Sequence, residues 1–500
     1  MKTIKINFVL LFGLLFMSSC SDDFLTLSPR GSDTEVNFYQ TEEEIFQGLI
    51  AAYDPLTWGG TAGWTMALGL LNAASDDCLA GGSDASDQPS WVAFDNFTLT
   101  SDLGPQEGLW GKYYTGIARC NLILEKIAEN DELSAQFRNR TIAEAKFLRA
   151  YYYFDLVRFF GNVVVTTDRI SPDEIGNQTQ SSKEEAYALI ISDLTDAYNT
   201  FELPTSLVPS EFGRVSKMAV TAELGKVLLY QGTTESMNRA AELFDEVINS
   251  GQFILENDFS RIFEQDNEWG VESIWEIQFS GAQSGGWENF VNQTEGNYNT
   301  QFFGMRDYVG PDYATGWSFC PVTLELVDVM QNDPRFESTI IDGNELKQNG
   351  ASYTAAYQNT DYFIRKYAGL QANVATEGEP ALNWGNNERV IRLADVYLMA
   401  AECIMRAGGD EGKARSYVNL VRSRVGLQPL ANSGTSLLEA IYRERRLELA
   451  TEGHRFFDLV RTGKATEFLD GFQEGKNEVL PIPQREIDLT NGSLLQNPGY

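Results

Sequence analysis

The sequence predicts a mostly α-helical protein with minor β structure. Apolar residues recur at helical spacing through most of the chain, which is the pattern of amphipathic helices. Two long stretches, at about 55–109 and 255–387, interrupt this pattern and are rich in glycine, tryptophan and polar residues, a composition typical of loops. Because 43% of the 500 residues are hydrophobic, the chain has enough apolar material for a large core. We therefore expect a helical scaffold that carries two irregular, loop-rich regions.

The helical periodicity falls into pairs of helices. Gly161 and Gly251 stand where two of these helices are expected to end, since glycine commonly follows the last turn of a helix. The aromatic run Tyr151–Phe154 is more typical of a core than of a binding surface. The predicted pairs are 41–54 with 64–75, 110–130 with 141–160, 183–200 with 216–230, 238–250 with 389–406, and 412–425 with 436–450.

Close helix packing is indicated by small residues next to large ones in the segment Ala240–Gly251, as in tetratricopeptide hairpins. A hairpin of this kind buries only one face, so it depends on stacked neighbours for a continuous core. We therefore expect four tetratricopeptide-like hairpins in a superhelix, with the scaffold at about 110–251 and 388–462.

One short strand is predicted within the second loop-rich region. Apolar and polar residues alternate in Ser273–Phe279, which places Trp275, Ile277 and Phe279 on one face of a strand. Trp275 is therefore expected in the core. Because loops on a rigid scaffold commonly carry binding groups, the residues that follow this strand are candidates for a ligand site.

The first nineteen residues have the parts of a secretory signal: two lysines, an apolar run and small residues before Cys20. The run is too short to span a bilayer, and a cysteine at the first mature position predicts lipidation of Cys20. We expect residues 1–19 to be a lipoprotein signal peptide, residues 20–40 a lipid-anchored tether, and residues 41–500 a single domain.

Charge and histidine content limit the function classes. The formal net charge is −33 at pH 7, and nucleic-acid binding needs clustered basic side chains, so nucleic acid is disfavoured as a partner. His454 is the single histidine, which excludes metal sites that need two imidazoles. Its position just past a helix favours a structural role. No phosphate-binding glycine loop or nucleophile elbow is present, so no catalytic residue is predicted.

Four cysteines besides Cys20 have no spacing that fits a zinc site or a redox pair. We expect them to be structural thiols, because a cysteine within a helical pattern usually behaves as a small buried hydrophobic residue. Whether two of them form a disulfide stays open at this point. They are Cys78, Cys120, Cys320 and Cys403.

Several segments resemble the SusD/RagB family of outer-membrane nutrient-binding lipoproteins, and together they run through nearly the whole chain. Each alone would fit a generic amphipathic helix, but the set is specific. After Gly161 the family usually has a proline, whereas this chain has Asn162–Val165. The segments are Ala143–Gly161 (AEAKFLRAYYYFDLVRFFG), Arg214–Gly232 (RVSKMAVTAELGKVLLYQG), Arg389–Gly408 (RVIRLADVYLMAAECIMRAG), Tyr442–Gly463 (YRERRLELATEGHRFFDLVRTG), and the ending Leu480–Leu489 (LPIPQREIDL) with Asn497–Tyr500.

The resemblance implies a SusD-like fold and binding without catalysis. Proteins of this family capture oligosaccharides at the cell surface and act as a lid over a TonB-dependent transporter of the SusC type. It also implies attachment to the outer membrane through Cys20, facing the cell exterior, and Ser21–Asp23 resembles the acidic export signal of lipoproteins of the Bacteroidota. The charged residues of Tyr442–Gly463 are expected to be structural, and Arg445 and Glu448 stand three apart on a helix, where they can pair.

Aromatic rings in loops are the expected sugar-binding groups, because the apolar faces of pyranose rings stack on them while sugar hydroxyls form hydrogen bonds. Trp110 and Trp275 are assigned to regular elements, and the other seven tryptophans lie in less regular surroundings. No cofactor is expected, although loop carboxylates leave room for a structural calcium ion. The predicted ligand-binding residues are Trp64, Asp76, Asp77, Trp91, Trp287, Tyr298, Tyr313 and Trp317, with Trp91 and Trp317 as the leading pair and the aspartates as acceptors for sugar hydroxyls.

Three other functions stay open from the sequence. A RagB-like member of the same family would bind peptides, through backbone contacts rather than stacking. A surface glycoside hydrolase would need two carboxylates facing each other at about 5 to 10 Å in a cleft. A repeat adaptor would have an extended concave surface without a tryptophan pocket.

Overall fold

A computed structural model describes residues 38–59, 63–282, 285–288 and 295–500. The predicted signal peptide, Cys20 and most of the tether lie outside these residues. The protein is 51% helix and 6% strand, which confirms the mostly α-helical class. None of the helices in the described part of the chain is long and apolar enough to cross a membrane.

The regular elements follow one another in chain order as helices with four short strands among the described residues, joined by loops and short 3-10 turns. The elements are α1 (Glu42–Tyr53), α2 (Ala67–Ala73), α3 (Pro89–Asp95), α4 (Gln106–Glu129), α5 (Ala135–Phe160), α6 (Lys183–Asn199), α7 (Lys217–Gln231), α8 (Thr234–Asn249), β1 (Ser273–Ile277), α9 (Tyr298–Phe303), α10 (Leu324–Met330), α11 (Phe336–Thr339), β2 (Ile340–Asp342), α12 (Gly343–Gln348), β3 (Tyr362–Ile364), β4 (Glu388–Arg392), α13 (Leu393–Arg406), α14 (Glu411–Arg424), α15 (Gly434–Leu449), α16 (Arg455–Arg461), α17 (Ala465–Phe468) and α18 (Gln484–Leu489).

The scaffold is a series of helices in which each packs on the next. Contacts join α4 to α5, α5 to α6, α6 to α7 and α7 to α8, and α8 then packs on α13, which also contacts α14 and α15. Four of the five predicted pairs are therefore neighbours. The first pair is wrong, because α1 packs on α4 and α5 whereas α2 packs on α3 and α16. The tetratricopeptide-like detail stays a prediction.

Local sequence sets the ends of the scaffold helices. The side chain of Thr41 accepts a hydrogen bond from the Glu44 N–H while Glu44 binds back to the Thr41 N–H, a capping box that satisfies free donors of the first turn. Ser182 and Glu185 cap α6 in the same way. Gly232 ends α7 with φ +77°, a left-handed conformation that glycine adopts without a steric penalty.

The aromatic run of α5 is core, as predicted. Tyr152, Tyr153 and Phe154 are fully buried, and the Tyr152 hydroxyl donates to the Ala52 carbonyl at 2.7 Å. The Tyr152 ring lies so close to Gly116 of α4 that a Cβ there would come within 2.3 Å of it. The close approach of α4 and α5 therefore requires glycine at this position.

The predicted strand is present as β1 and pairs antiparallel with β4. Trp275 is fully buried and meets the rings of Phe147 and Tyr151 edge-on at 5.0 and 5.1 Å, which confirms its place in the core. The opposite face of β1 is covered as well, because Glu276 is also fully buried and accepts a hydrogen bond from the Asn387 amide at 2.9 Å. The second sheet pairs β2 with β3.

A buried network of ion pairs, here called the Glu448 network, joins the scaffold to the second loop-rich region. Glu448 of α15 is fully buried and binds the guanidinium groups of Arg335, Arg392 and Arg424. Arg392 also binds Glu452 at 2.7 Å. Burial alone would raise the pKa of Glu448. The three guanidinium groups outweigh this effect and hold the pKa of Glu448 well below its usual value.

The predicted pair between Arg445 and Glu448 does not form. Arg445 instead binds Asp395 of α13 and Asp458 of α16, since its side chain points away from the network around Glu448. Both residues are nonetheless structural, as expected. Their charges are met by partners on other elements of the fold rather than by a neighbour on the same helix.

Replacing the centre of the network tests its contribution to stability. We expect Glu448→Gln to lower the free energy of unfolding by about 3–5 kcal/mol, because three buried guanidinium groups lose their shared anion. Urea unfolding at pH 7 measures the change. Glu242→Gln is the matched control, since its pair with Arg239 is exposed and we expect a change below about 0.5 kcal/mol. Equal effects of the two substitutions would contradict a central role for Glu448.

Candidate functional site

Three tryptophans form a surface group, here called the tryptophan cluster. The rings of Trp287 and Trp317 are close to parallel, with centroids 6.0 Å apart and an interplanar angle of 24°. Trp64 lies 5.2 Å from Trp317 and 6.5 Å from Trp287. Trp287 is 46% exposed, while Trp64 and Trp317 are half-buried. The sequence singled out all three residues, and the fold brings them together from two regions of the chain.

Buried rings of α9 support the cluster from below. Phe302 is fully buried and Tyr298 is 3% exposed. Phe302 lies 5.5 Å from Trp64 and 5.7 Å from Trp317, and Tyr298 lies 5.6 Å from Trp64. Tyr298 therefore belongs to the base of the cluster rather than to its exposed surface. Phe302 is not among the residues predicted from the sequence, because a helix of six residues is too short to show helical periodicity.

The position of Trp317 is set by main-chain hydrogen bonds to α9 and the residues after it. The Trp317 N–H donates to the Gln301 carbonyl at 2.9 Å, and the Ser318 N–H donates to the Gly304 carbonyl at 2.8 Å. Gly316 lies against Gly304 so closely that a Cβ on Gly316 would be 2.3 Å from the Gly304 Cα. Glycine is therefore needed where the two segments meet.

Trp91 does not lie in the cluster surface, although the sequence favoured it as a ligand contact. It is 1% exposed, and its ring packs edge-on against Phe302 and Phe319 at 5.5 and 5.6 Å. Its Nε1 donates to the Trp64 carbonyl at 2.9 Å. Trp91 thus supports Trp64 from the core and has no open ring face for a sugar.

Asp76 and Asp77 are also buried rather than open to a ligand. Asp76 binds Arg455 through both carboxylate oxygens at 2.7 Å and Arg446 at 2.9 Å. Asp77 binds Arg446 at 3.1 Å. Because guanidinium groups occupy these carboxylates, we do not retain the two aspartates as acceptors for sugar hydroxyls.

The remaining predicted residue, Tyr313, lies in a separate, smaller apolar cluster. It is half-buried and meets the ring of Tyr308 at 5.9 Å. Its main chain pairs with Leu370. Burial is the main cause that raises the pKa of Tyr313. Tyr313 is therefore not grouped with the tryptophan cluster.

Other tryptophans have structural partners. Trp384 is 2% exposed and donates from Nε1 to Gln301 Oε1 at 3.0 Å. Trp269 stacks on Phe212 at 5.1 Å with an interplanar angle of 16°. Trp58 lies under the guanidinium group of Arg119 at 4.9 Å. These rings lie outside the tryptophan cluster.

Metal-binding groups and exposed thiols are both absent from the described part of the chain. In the described ranges, no three His, Cys, Asp or Glu side chains form a group that could hold a metal ion. The four cysteines are buried free thiols rather than a disulfide, and burial raises the pKa of each. Buried thiols with raised pKa values are poor nucleophiles.

One pocket brings two carboxylates together, as a hydrolase would require. Asp54 and Glu295 line a cavity of about 280 Å³ whose lining contains no tryptophan. Burial and then the charge of Asp54 raise the pKa of Glu295. Asp54, however, is bound by Arg119 and by Trp58 Nε1. One of the two carboxylates is therefore held by structural partners, and the pair gives little support to hydrolysis.

Comparison with known proteins agrees with this architecture. The profile of the SusD family matches residues 271–500, and a second profile, described as starch-binding associating with outer membrane, matches residues 24–229. The chain is 29% identical to the SusD-like protein P38 of Formosa agariphila, over 100% of this chain and 99% of that protein.

Two solved structures have the same fold over most of their length. A laminarin-binding SusD-like protein is 40% identical with a TM-score of 0.85, covering 92% of this chain and 100% of its own. Surface glycan-binding protein A from Bacteroides thetaiotaomicron, in complex with laminarihexaose, is 29% identical with a TM-score of 0.82, covering 91% of this chain and 99% of its own. The fold is that of a SusD-like protein. The chain belongs to the SusD/RagB family.

Truncation of Trp91 separates a core role from a surface role. We expect Trp91→Ala to lower the free energy of unfolding by about 3–5 kcal/mol, because it leaves a cavity beneath the cluster. Denaturant unfolding measures the loss. Trp287→Ala is the control, with a much smaller expected change because its ring is largely exposed. A small effect of Trp91→Ala would argue against its burial.

Because His454 is the single histidine of the chain, its titration can be followed without overlap from other imidazoles. Burial, the largest cause, lowers the pKa of His454 to about 4, so the folded protein keeps the imidazole neutral while the unfolded chain protonates near pH 6.5. Stability linked to His454 is therefore present above pH 6.5 and is lost as the pH falls toward 4. We expect its imidazole NMR resonance to titrate with a midpoint near 4. A midpoint near 6.5 would show that the side chain is solvated.

Proposed function

We propose that this protein is a cell-surface glycan-binding lipoprotein that captures oligosaccharides on the tryptophan cluster. The observation that carries the proposal is the arrangement of Trp64, Trp287 and Trp317. Their rings come from separate parts of the chain and share one surface, with Trp287 46% exposed. Aromatic faces of this kind suit the apolar faces of sugar rings. Capture in this form requires no catalytic residue.

The ligand we favour is a laminarin-type glucan. Support comes from the two solved relatives, one named for laminarin binding and one solved with laminarihexaose. Two features define the shape of the apolar surface that such a glucan would meet. The rings of Trp287 and Trp317 lie side by side with centroids 6.0 Å apart, and Trp64 is inclined to Trp287 by 77°, which makes the apolar surface curved rather than flat.

We further propose that Cys20 carries the lipid, that the protein lies on the exterior of the outer membrane, and that it delivers its ligand to a SusC-like TonB-dependent transporter. The sequence around Cys20 supports the lipid anchor, and the description of the second matching profile supports outer-membrane association. The transporter is inferred from the family. Such a transporter would give the captured oligosaccharide a route into the cell, so that binding alone would serve nutrient uptake.

Calorimetry on the protein without residues 1–20 tests the glycan site. We expect laminarihexaose to bind saturably and Trp287→Ala and Trp317→Ala each to weaken binding roughly tenfold, the loss of one stacking contact. Trp269→Ala is the matched control, because Trp269 stacks on Phe212 outside the cluster, and its affinity should be unchanged.

Three results would overturn this proposal. Binding of a casein-derived peptide mixture, with no binding of laminarin or starch oligosaccharides, would favour the peptide-binding alternative. Glycan binding that is unaffected by both cluster substitutions would place the ligand elsewhere on the protein. Release of shortened oligosaccharides during the measurement would instead revive the hydrolase.

A further inference from the structure

The segment that carries Trp317 lies between two other stretches of main chain. On one side it bonds to α9 and the residues after it, as described above. On the other side, the N–H groups of Leu79, Gly81 and Gly82 donate to the carbonyls of Pro321, Phe319 and Ser318 at 2.9, 2.8 and 2.8 Å. Residues 318–321, which follow Trp317, are therefore held by main-chain hydrogen bonds to both neighbouring stretches.

The carbonyl of Trp317 is held by a charged side chain. Arg306 donates from one terminal nitrogen to the Trp317 carbonyl at 3.0 Å and to Asp87 Oδ2 at 3.3 Å. The Arg306 main-chain N–H also donates to the Ser318 hydroxyl at 3.0 Å. Ser318 has φ +55°, a conformation that is uncommon for residues other than glycine. Arg306 thus contacts both residues where the chain turns to place the tryptophan ring.

Asp87 connects this contact to an acidic surface turn. Its Oδ2 also accepts a hydrogen bond from the Ser83 N–H at 2.7 Å, and its Oδ1 accepts one from the Gln88 amide at 3.1 Å. The Arg306 and Asp87 side chains are 24% and 25% exposed. A charge-assisted hydrogen bond in this partly buried setting is stronger than one in open water.

We infer that Arg306, held by Asp87, is a positioning residue for glycan binding, which acts through the main chain of Trp317 and not by contact with the sugar. This inference rests on the proposed function. With the bridge present, the Trp317 ring is held beside Trp287 before the ligand arrives. Without it, the Trp317 carbonyl loses this hydrogen bond, and the ligand must restrict the Trp317 ring on binding, which weakens affinity without removing any stacking ring.

A double-substitution cycle on the protein without residues 1–20 tests this inference. We expect Arg306→Ala to weaken laminarihexaose binding about tenfold, and Asp87→Asn to weaken it in the same direction. In the Trp317→Ala background, Arg306→Ala should have almost no further effect, since the residue through which it acts is gone. Arg306→Lys should recover part of the affinity. Arg239→Ala, which breaks an exposed ion pair elsewhere, should leave affinity unchanged.

Additive effects in the cycle would overturn the inference, because they would mean that Arg306 affects binding independently of Trp317. Near-ultraviolet circular dichroism of the free protein gives a readout that does not depend on ligand. We expect Arg306→Ala and Asp87→Asn to reduce the tryptophan signal while far-ultraviolet circular dichroism stays unchanged, and an unaltered tryptophan signal would overturn the inference. If the wild type binds no glycan but this signal still falls, the proposed function fails while the positioning role stands.

Discussion

The buried charges around Glu448 are the constraint on which the rest of this fold depends. Three guanidinium groups share one fully buried carboxylate, and Lys366 donates to the Glu448 carbonyl and to Glu452 at 2.9 and 2.6 Å. Removing charges from water is so costly that every member must find its partner in the folded state. Arg335 and Lys366 come from the second loop-rich region, and the other members come from the scaffold. The network therefore fixes the loops relative to the helices.

A site built on such loops can be rigid without being helical. The tryptophan cluster rests on Phe302 and Tyr298, and Trp91 supports it from the core by donating to the Trp64 carbonyl. Rings held in place before binding require little ordering when a ligand arrives, which favours affinity. Because Trp91 is buried, it cannot contact a ligand, but it can hold Trp64 in place through the hydrogen bond to the Trp64 carbonyl.

Sequence patterns predicted the pairing of helices well and the burial of tryptophans in irregular segments poorly. The helical periods gave four of five helix pairs, because a helix shows its buried face through regular spacing. The same reasoning failed for the first pair, since nothing in the spacing of α1 and α2 says which other helix covers them. For Trp91 and Trp287 the local sequence is equally irregular, yet one is 1% exposed and the other 46%. Trp91 lies on α3, a helix of only seven residues, and Trp287 lies in a turn, so neither has a period from which burial could be inferred.

By itself the sequence determined the helical class, the strand around Trp275, the structural role of the charged C-terminal helices and the resemblance to SusD/RagB proteins, because each depends on spacing or on local motifs. Only the tertiary structure decided that Trp64, Trp287 and Trp317 meet, that Asp76 and Asp77 are occupied by arginines, and that Arg306 reaches the Trp317 carbonyl. These contacts join residues far apart in the chain, and they depend on how the loops are folded over the scaffold.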